Sequence, residues 1–429
     1  MKLYPDCKKL FNSTLLLLLI FPLVFSHAET VAEIRNKIDQ KDSDIAKLEE
    51  EIKTYQIELD SIGQQKNSLS NSIKELDLIR KKLVADINVT QKKIDKTNLK
   101  IESLSFDIGT KENIIQNDIE SVKLGIRQTN EFEKDSIMET LLSKSSFTMI
   151  WNDVDNLSSV HEKILQDVTE LKEIKGELED TRENTVDAKN ELITLQTKLS
   201  DQQKIVVQNT NEKNKLLKQT KNNEANYQKL LKDRIAQRDA FEKELRDYEA
   251  QLQFILDPSK LPSSGVLSWP LEKIYITQLF GKTVDSKRLY ASGTHNGVDF
   301  RSSMGTPVMA MADGEVLGIG DTDLTCYGAS FGKFVFIRYN NGLSSTFGHL
   351  SLIKVGEGQK VKRGQIVAYS GNTGHTTGPH LHVSLYASEA VKMASKPSVA
   401  CGGRIYRLPV APINAYLDAM YYLPPYIKI

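Results

Sequence analysis

From Val31 onward the chain repeats apolar side chains every seven residues. Positions 31, 38, 45, 52, 59, 66, 73, 80 and 87 hold Val, Ile, Ile, Ile, Leu, Lys, Ile, Arg and Ile. The positions three residues further on hold Ile34, Lys41, Leu48, Tyr55, Ile62, Leu69, Leu76, Leu83 and Thr90. Seven of nine are apolar in each set. A strict heptad keeps one seam in register over many turns, whereas the stripe of a compact amphipathic helix drifts, so this region is expected to be a coiled coil. Lys66 and Arg80 would loosen the seam locally. A second, looser seam runs from Ile164 through Leu171, Leu178, Leu192, Leu199, Val206, Tyr227, Phe241 and Tyr248 to Ile255. Between the seams, residues 138–160 (METLLSKSSFTMIWNDVDNLSSV) carry no heptad. Two arms of about 100 residues flanking a break suggest an antiparallel hairpin, each arm reaching about 150 Å. A long parallel dimer with a kink is the alternative.

Turn-forming residues draw the same boundary. No proline lies between residues 23 and 257, and only four of the 24 glycines (63, 109, 125 and 176) lie between residues 29 and 256. Proline and glycine punctuate turns and break helices, so their scarcity supports a helical residue range of 29–256. Residues 257–270 (DPSKLPSSGVLSWP) are expected to form a linker. Beyond them the pattern changes to short runs such as PVMAMADGEVLGIG, GKFVFIRYNNGLSSTFGHL and GQIVAYSG. Asn341-Gly342 reads as a hairpin turn between two of these runs. Residues 271–429 are therefore expected to be an all-β domain, with PINAYLDAMYYL a short helix packed at the end.

Charge excludes one class of partner. Lysine plus arginine equals aspartate plus glutamate at 56 each, so no global field recruits nucleic acid. Residues 1–28 have a basic start, the apolar run Leu15–Phe25 and the small-x-small site Ser26-His27-Ala28. They read as a secretory signal peptide cleaved after Ala28, or alternatively as an uncleaved anchor. Cys326 and Cys401 would then form one disulfide in an oxidising compartment, or remain two buried thiols.

Five of the seven histidines (295, 349, 375, 380 and 382) lie in the β-rich part. His380 and His382 in GPHLHVSLY would point to one face of a strand and could converge on a metal such as Zn²⁺. They also suit an ordinary surface pair. His295 and Asp299 in GTHNGVDF would be folded together by a turn at Asn296-Gly297, or be a polar turn with a capping aspartate. His349 in STFGHLS reads alone as a structural histidine, and His375 in GNTGHTTG as an exposed loop residue.

Five segments in order, GTHNGVDF, GTPVMAMADGEV, STFGHLS, GQKVKRGQIVAYSGNTG and TGPHLHVSLY, resemble the LytM/lysostaphin-type zinc metallopeptidases over about residues 265–390. The resemblance implies a β domain of the duplicated-hybrid-motif type with a groove and one Zn²⁺ per chain. It implies His295, Asp299 and His382 as metal ligands, His380 as a catalytic histidine beside the metal, and His349 as an assistant to catalysis. The insert KTVDSKRLYAS before the first motif departs from the family pattern and would reshape the groove. The implied activity is endopeptidase cleavage of peptidoglycan stem peptides in the periplasm or cell envelope, in cell separation or wall remodelling. The helical half is similar in layout to EnvC-type regulators of cell-division murein hydrolases, which activate amidases without cutting. That resemblance implies a divisome membrane complex or an amidase as a partner of the coiled coil, and an arm able to inhibit the groove.

Overall fold

The computed structural model describes residues 31–62, 68–134, 147–283 and 293–426. The expected signal peptide, Lys66, and much of the expected break and of the insert lie outside these residues.

Among the described residues four helices precede the β domain: α1 (Val31–Ile62), α2 (Leu69–Lys134), α3 (Phe147–Thr220) and α4 (Glu224–Gln251). This corrects the expectation of two equal arms. The first arm is interrupted between Ile62 and Leu69, and α1 lies antiparallel along α2. Lys92 pairs with Asp44 at 2.9 Å and Lys96 with Asp42 at 2.6 Å. The long hairpin is α2 against α3, again antiparallel within one chain: Arg182 meets Glu112 at 2.8 Å and Lys213 meets Asp77 at 2.7 Å. The parallel-dimer alternative is therefore not adopted. At 66 and 74 residues, α2 and α3 reach about 99 and about 111 Å rather than 150 Å. The heptad-free stretch is itself helical from Phe147 onward. Such partly exposed ion pairs set register more than stability, and the seam supplies the burial. Ile34, Ile45, Leu83, Leu178 and Ile205 are buried, but Arg80, placed in the seam by the repeat, faces solvent.

Lys221 and Asn222 have φ of +53° and +52°, which ends α3. Asn223 then caps α4 by accepting from the Asn226 backbone N–H at 3.2 Å. The turn delivers α4 to the β domain, so the end of the second seam has a different partner. Phe241 is fully buried and meets Tyr406 edge-on at 5.3 Å, Tyr248 lies beneath Lys396, and Ile255 is exposed. Phe241 and Tyr248, at seam positions by spacing, dock on a β surface, whereas the Tyr227 hydroxyl meets Ser72 of α2 at 2.8 Å.

The β domain centres on an eight-stranded antiparallel sheet. Along it run β1 (Ile276–Gln278), β2 (Val298–Arg301), β10 (His380–Ala387), β6 (Leu343–Gly348), β5 (Lys333–Tyr339), β4 (Gly314–Asp321) and β8 (Lys360–Val361). β13 (Tyr416–Leu417) also pairs with β10. A smaller sheet holds β3 (Pro307–Met309), β9 (Ile366–Ser370) and β7 (Leu350–Ile353), and β11 (Lys392–Pro397) pairs with β12 (Ile405–Val410). The β5–β6 hairpin turns through Asn341 and Gly342, the latter at φ +87°. Alternation splits β10 between two faces. Leu381, Val383 and Leu385 enter the core with Val298, Phe300 and Phe347, leaving His380, His382 and Ser384 on the opposite face. Residues 257–270, expected as a linker, pack on this core through Leu267 and Trp269, and Trp269 meets Phe300 edge-on at 6.2 Å. A one-turn helix, α5 (Ala419–Tyr422), closes the chain end.

Cys326 and Cys401 are disulfide-bonded. They lie in a second core with Phe241, Phe334, Phe336, Tyr386 and Tyr406. The base of the helical hairpin rests on the smaller sheet, where Ile79, Leu83, Ile205 and Tyr369 bury one another. Asp201 of α3, 1% exposed, pairs there with Lys354 at 2.7 Å and accepts from the Tyr369 hydroxyl at 3.1 Å.

Candidate active site

Strand register assembles the site. β2 and β10 pair so that Asp299 lies opposite His382 and Arg301 opposite His380. Asp299 and His382 therefore share a face, with the His382 Nδ1 2.8 Å from Asp299 Oδ1. His295 precedes β2, held by a two-way backbone bridge to Gly281. Its Nε2 lies 3.2 Å from both the Asp299 Oδ1 and the His382 Nδ1. A Cβ at Gly297, between the two ligand candidates, would stand 2.5 Å from the Val383 carbonyl and 2.6 Å from the His382 ring. Only glycine lets β2 approach β10 this closely. All three side chains are buried, and they form a group able to hold a metal ion.

The surroundings suit a cation. Burial works to raise the Asp299 carboxyl, but His380, His295 and His382 outweigh it and hold it well below the usual carboxylate range. Burial lowers His382 against the pull of Asp299, favouring the neutral imidazole that a metal requires. The outer nitrogens are held as well. His295 Nδ1 lies 2.9 Å from the Leu279 carbonyl, and His382 Nε2 lies 2.8 Å from the Ser384 hydroxyl. Such outer bonds fix the tautomer and aim the other nitrogen inward. Two imidazoles and a carboxylate, buried, converging and oriented from behind, fit Zn²⁺.

His349 and His380 stand beside this group with ring centroids 4.6 Å apart. His349 Nδ1 lies 2.7 Å from the Thr373 carbonyl, and His380 Nδ1 lies 2.8 Å from the Gly378 carbonyl. Donation from each Nδ1–H leaves Nε2 as the free lone pair; that of His380 lies 3.6 Å from Asp299. Burial, with His380 and His382 nearby, holds His349 well below an ordinary histidine. His349 has φ +59°, a left-handed conformation uncommon for any residue other than glycine and often met at functional positions.

One reading needs correction, and one set of residues was missed. His375 is not exposed: its side chain is 13% accessible and its Nδ1 lies 2.5 Å from Glu242 Oε1 of α4. The missed residues are on α4. Glu242, Leu245, Arg246 and Glu249 form the roof of a cavity of about 410 Å³ whose floor includes His295, His349, His375 and His382. Glu249 accepts from the Tyr416 hydroxyl at 2.7 Å, and burial pushes its carboxyl up to about 7. Glu244 accepts from the Ser398 hydroxyl at 3.0 Å and the Ala400 N–H at 3.1 Å. The signal was the switch from aliphatic to aromatic residues in the second seam, which reads as a different partner only once the β surface is known.

Residues 293–393 match Peptidase family M23. The C-terminal part of the chain carries an M23 domain. Over 91 residues the chain is 45% identical to the peptidoglycan DD-endopeptidase ShyA of Vibrio cholerae, covering 21% of this chain and 20% of that protein. Over another 91 it is 43% identical to the glycyl-glycine endopeptidase ALE-1 of Staphylococcus capitis, covering 21% and 24%. The chain thus spans about a fifth to a quarter of the length of these relatives. Among solved structures, a zinc-containing peptidase from Vibrio cholerae is 29% identical, with 38% of this chain and 41% of that one covered and a TM-score of 0.27. The matched range of the M23 domain contains all five of the histidines and Asp299 described above, while α4 lies outside it. Among the described residues no helix is long and apolar enough to cross a membrane.

Proposed function

We propose that the chain is a zinc-dependent peptidoglycan endopeptidase of the periplasm or cell envelope, cutting peptide cross-links between stem peptides, with α4 as a removable cover on its groove. The observation that carries this reading is the buried convergence of His295, Asp299 and His382 beside two further histidines whose Nδ1 atoms are tied to backbone carbonyls. His295, Asp299 and His382 hold the metal. When bound, zinc supplies Lewis-acid polarisation of the scissile carbonyl and lowers the pKa of water toward neutrality. His380 Nε2 accepts a proton from the attacking water and returns it to the leaving amine. His349, kept neutral by burial and with its Nδ1–H on the Thr373 carbonyl, presents the Nε2 lone pair to the same cleft, where it accepts a hydrogen bond from the attacking water and orients it. The cavity roofed by α4 is the place of the substrate peptide, so α4 must leave before cleavage.

Zinc analysis and mass spectrometry of muropeptides released from purified sacculi test this reading. One zinc per chain and new peptide termini are expected, both lost in His295→Ala and His382→Ala. The covered groove also favours a second reading: an activator of a cell-wall amidase that uses α4 release to bind its partner and does not cut. Full zinc occupancy with no released muropeptide, in a variant whose α4 is displaced, would select it. Under either reading the helical hairpin is the arm that engages a divisome membrane complex.

A further inference from the structure

We propose that Asp323 is a positioning residue for His349, acting through a single peptide unit. The inference deepens the hydrolase reading and rests on it for the role of His349. Asp323 sits in the one-turn helix Thr322–Leu324 that follows β4, well outside the group of histidines. Its Oδ2 accepts from the Gly374 N–H at 3.0 Å and its Oδ1 from the Gly328 N–H at 2.7 Å. The Gly374 N–H belongs to the same peptide unit as the Thr373 carbonyl. That carbonyl accepts from His349 Nδ1 at 2.7 Å. A carboxylate bonded to the amide hydrogen draws electron density through the unit onto the carbonyl oxygen, so it strengthens the bond to the imidazole. The result is a carboxylate–peptide–histidine chain that holds the Nδ1–H tautomer and frees Nε2 for the cleft.

The surroundings make the relay rigid. A Cβ at Gly332 would stand 2.3 Å from the Thr373 carbonyl carbon, and one at Gly374 would stand 2.2 Å from the Gly332 nitrogen. The two loops are therefore in backbone-to-backbone contact. Thr373 Oγ1 accepts from the Lys333 N–H and donates to the Leu350 carbonyl, both at 2.9 Å. His349 itself donates its backbone N–H to the Phe331 carbonyl at 2.7 Å, which anchors its left-handed backbone to the same loop pair. Burial pushes the Asp323 carboxyl up to about 6, opposed by its two N–H donors, so it remains largely ionised at neutral pH. A half-buried carboxylate with no partner cation among the described residues, spending both oxygens on backbone N–H groups, has the arrangement expected of an orienting group.

The test uses the full zinc-loaded chain. Asp323→Asn keeps one acceptor oxygen but turns an NH₂ against the other N–H. We expect kcat to fall about 10- to 100-fold, with KM and zinc content unchanged. Long-range ¹H–¹⁵N spectra should show the His349 ring moving from a pure Nδ1–H form to a mixture. Thr325→Val is the control, because it removes a bond to the Ile405 carbonyl from the same turn without touching the relay. It should lower stability and leave kcat and the ring spectrum alone. An unchanged His349 spectrum in Asp323→Asn, or an equal loss of kcat in Thr325→Val, overturns the proposal. If Asp323→Asn does not fold, the wild-type chain decides: a scalar coupling across the hydrogen bond between Gly374 ¹⁵N and Asp323 ¹³Cγ is expected, and its absence rejects the relay. A wild-type chain that cuts nothing refutes the hydrolase reading only, because the spectra still judge the relay.

Discussion

Replacing Phe241 by alanine should open the groove without altering any residue of it. Phe241 is the side chain of α4 that is fully buried in the β domain, and it packs with Tyr406 in the core that also holds the disulfide. Truncating a buried phenylalanine costs about 3–5 kcal/mol. That cost falls on the closed arrangement, because a released α4 exposes Phe241 in either case. At tenfold per about 1.4 kcal/mol, the closed-to-open ratio falls by roughly 100- to 4,000-fold. The remaining ties are the partly buried Leu245 and Tyr248 on the same core and polar contacts from Glu242 to His375, Glu244 to the 398–400 loop, Glu249 to Tyr416 and Lys396 to the Tyr248 ring. They contribute less and keep α4 near its seat. Two assays read the change in parallel. Trypsin access to Arg238, Lys243 and Arg246 reports release of α4, and dye release from labelled sacculi reports hydrolysis. Both should rise at least tenfold. Phe106→Ala, at a side chain 40% exposed on the hairpin, should change neither. If trypsin gains access while hydrolysis stays at the wild-type rate, α4 is not the cover of a working groove and the argument fails.

Further outcomes follow from the same geometry. His382→Ala and Asp299→Asn should each reduce bound zinc from one per chain to near none by atomic emission, because each removes one of the three buried donors that converge on one point. Gly297→Ala should do the same without removing a ligand, since its Cβ would meet the Val383 carbonyl and the His382 ring; normal zinc content in this variant would contradict the register argument. Glu249 gives a pH dependence of definite sign. Its folded carboxyl is raised to about 7 from an ordinary 4.5, so the closed arrangement is fully stable at acid pH and loses stability as pH rises through about 7. The wild-type chain should therefore grow more accessible to trypsin between about pH 4.5 and about pH 7, and Glu249→Gln should not. Paired Cys326→Ser and Cys401→Ser substitutions open a loop of 75 residues and should cost about 4 kcal/mol, read as a lower Tm of the β domain.

Some of this molecule was legible in the sequence because the responsible physics is local. A proline-free, glycine-poor heptad region has few options other than long helices. Alternation along GPHLHVSLY puts His380 and His382 on one face whatever their partners are. Asp299 opposite His382 required a register, and the glycine at 297 permits that register without announcing it. Arm length failed for a related reason. The heptad runs across residues 62–69 with Lys66 as its one polar seam position, no stronger a signal than Arg80 within α2, so periodicity alone gave no reason to fold α1 back on α2. The cover failed for a deeper one. Phe241 and Tyr248 satisfy a helix seam as well as they satisfy a β surface, and hydrophobic spacing does not say which surface will be met.

The separation between seam and site also explains how the two halves divide the work. Every residue of the candidate metal group comes from β2, β10 or the turn before them, elements fixed by main-chain pairing in the larger sheet. None depends on a helix for its position. What the helices contribute is attachment chiefly at two places: the hairpin base on β7 and β9 through Asp201, Lys354 and Tyr369, beside which Gln56 of α1 accepts from the Ser303 hydroxyl, and α4 across the groove. The two attachments are joined through the turn at Lys221–Asn223, which has no buried apolar side chain to anchor it. A force or partner acting on the hairpin therefore has a short path to α4 and none through the ligand set. Substitutions at Asp201, such as Asp201→Asn, should then alter trypsin access to α4 while leaving zinc content at one per chain. A loss of zinc in that variant would show instead that the hairpin base supports the site itself, and the division of labour argued here would be wrong.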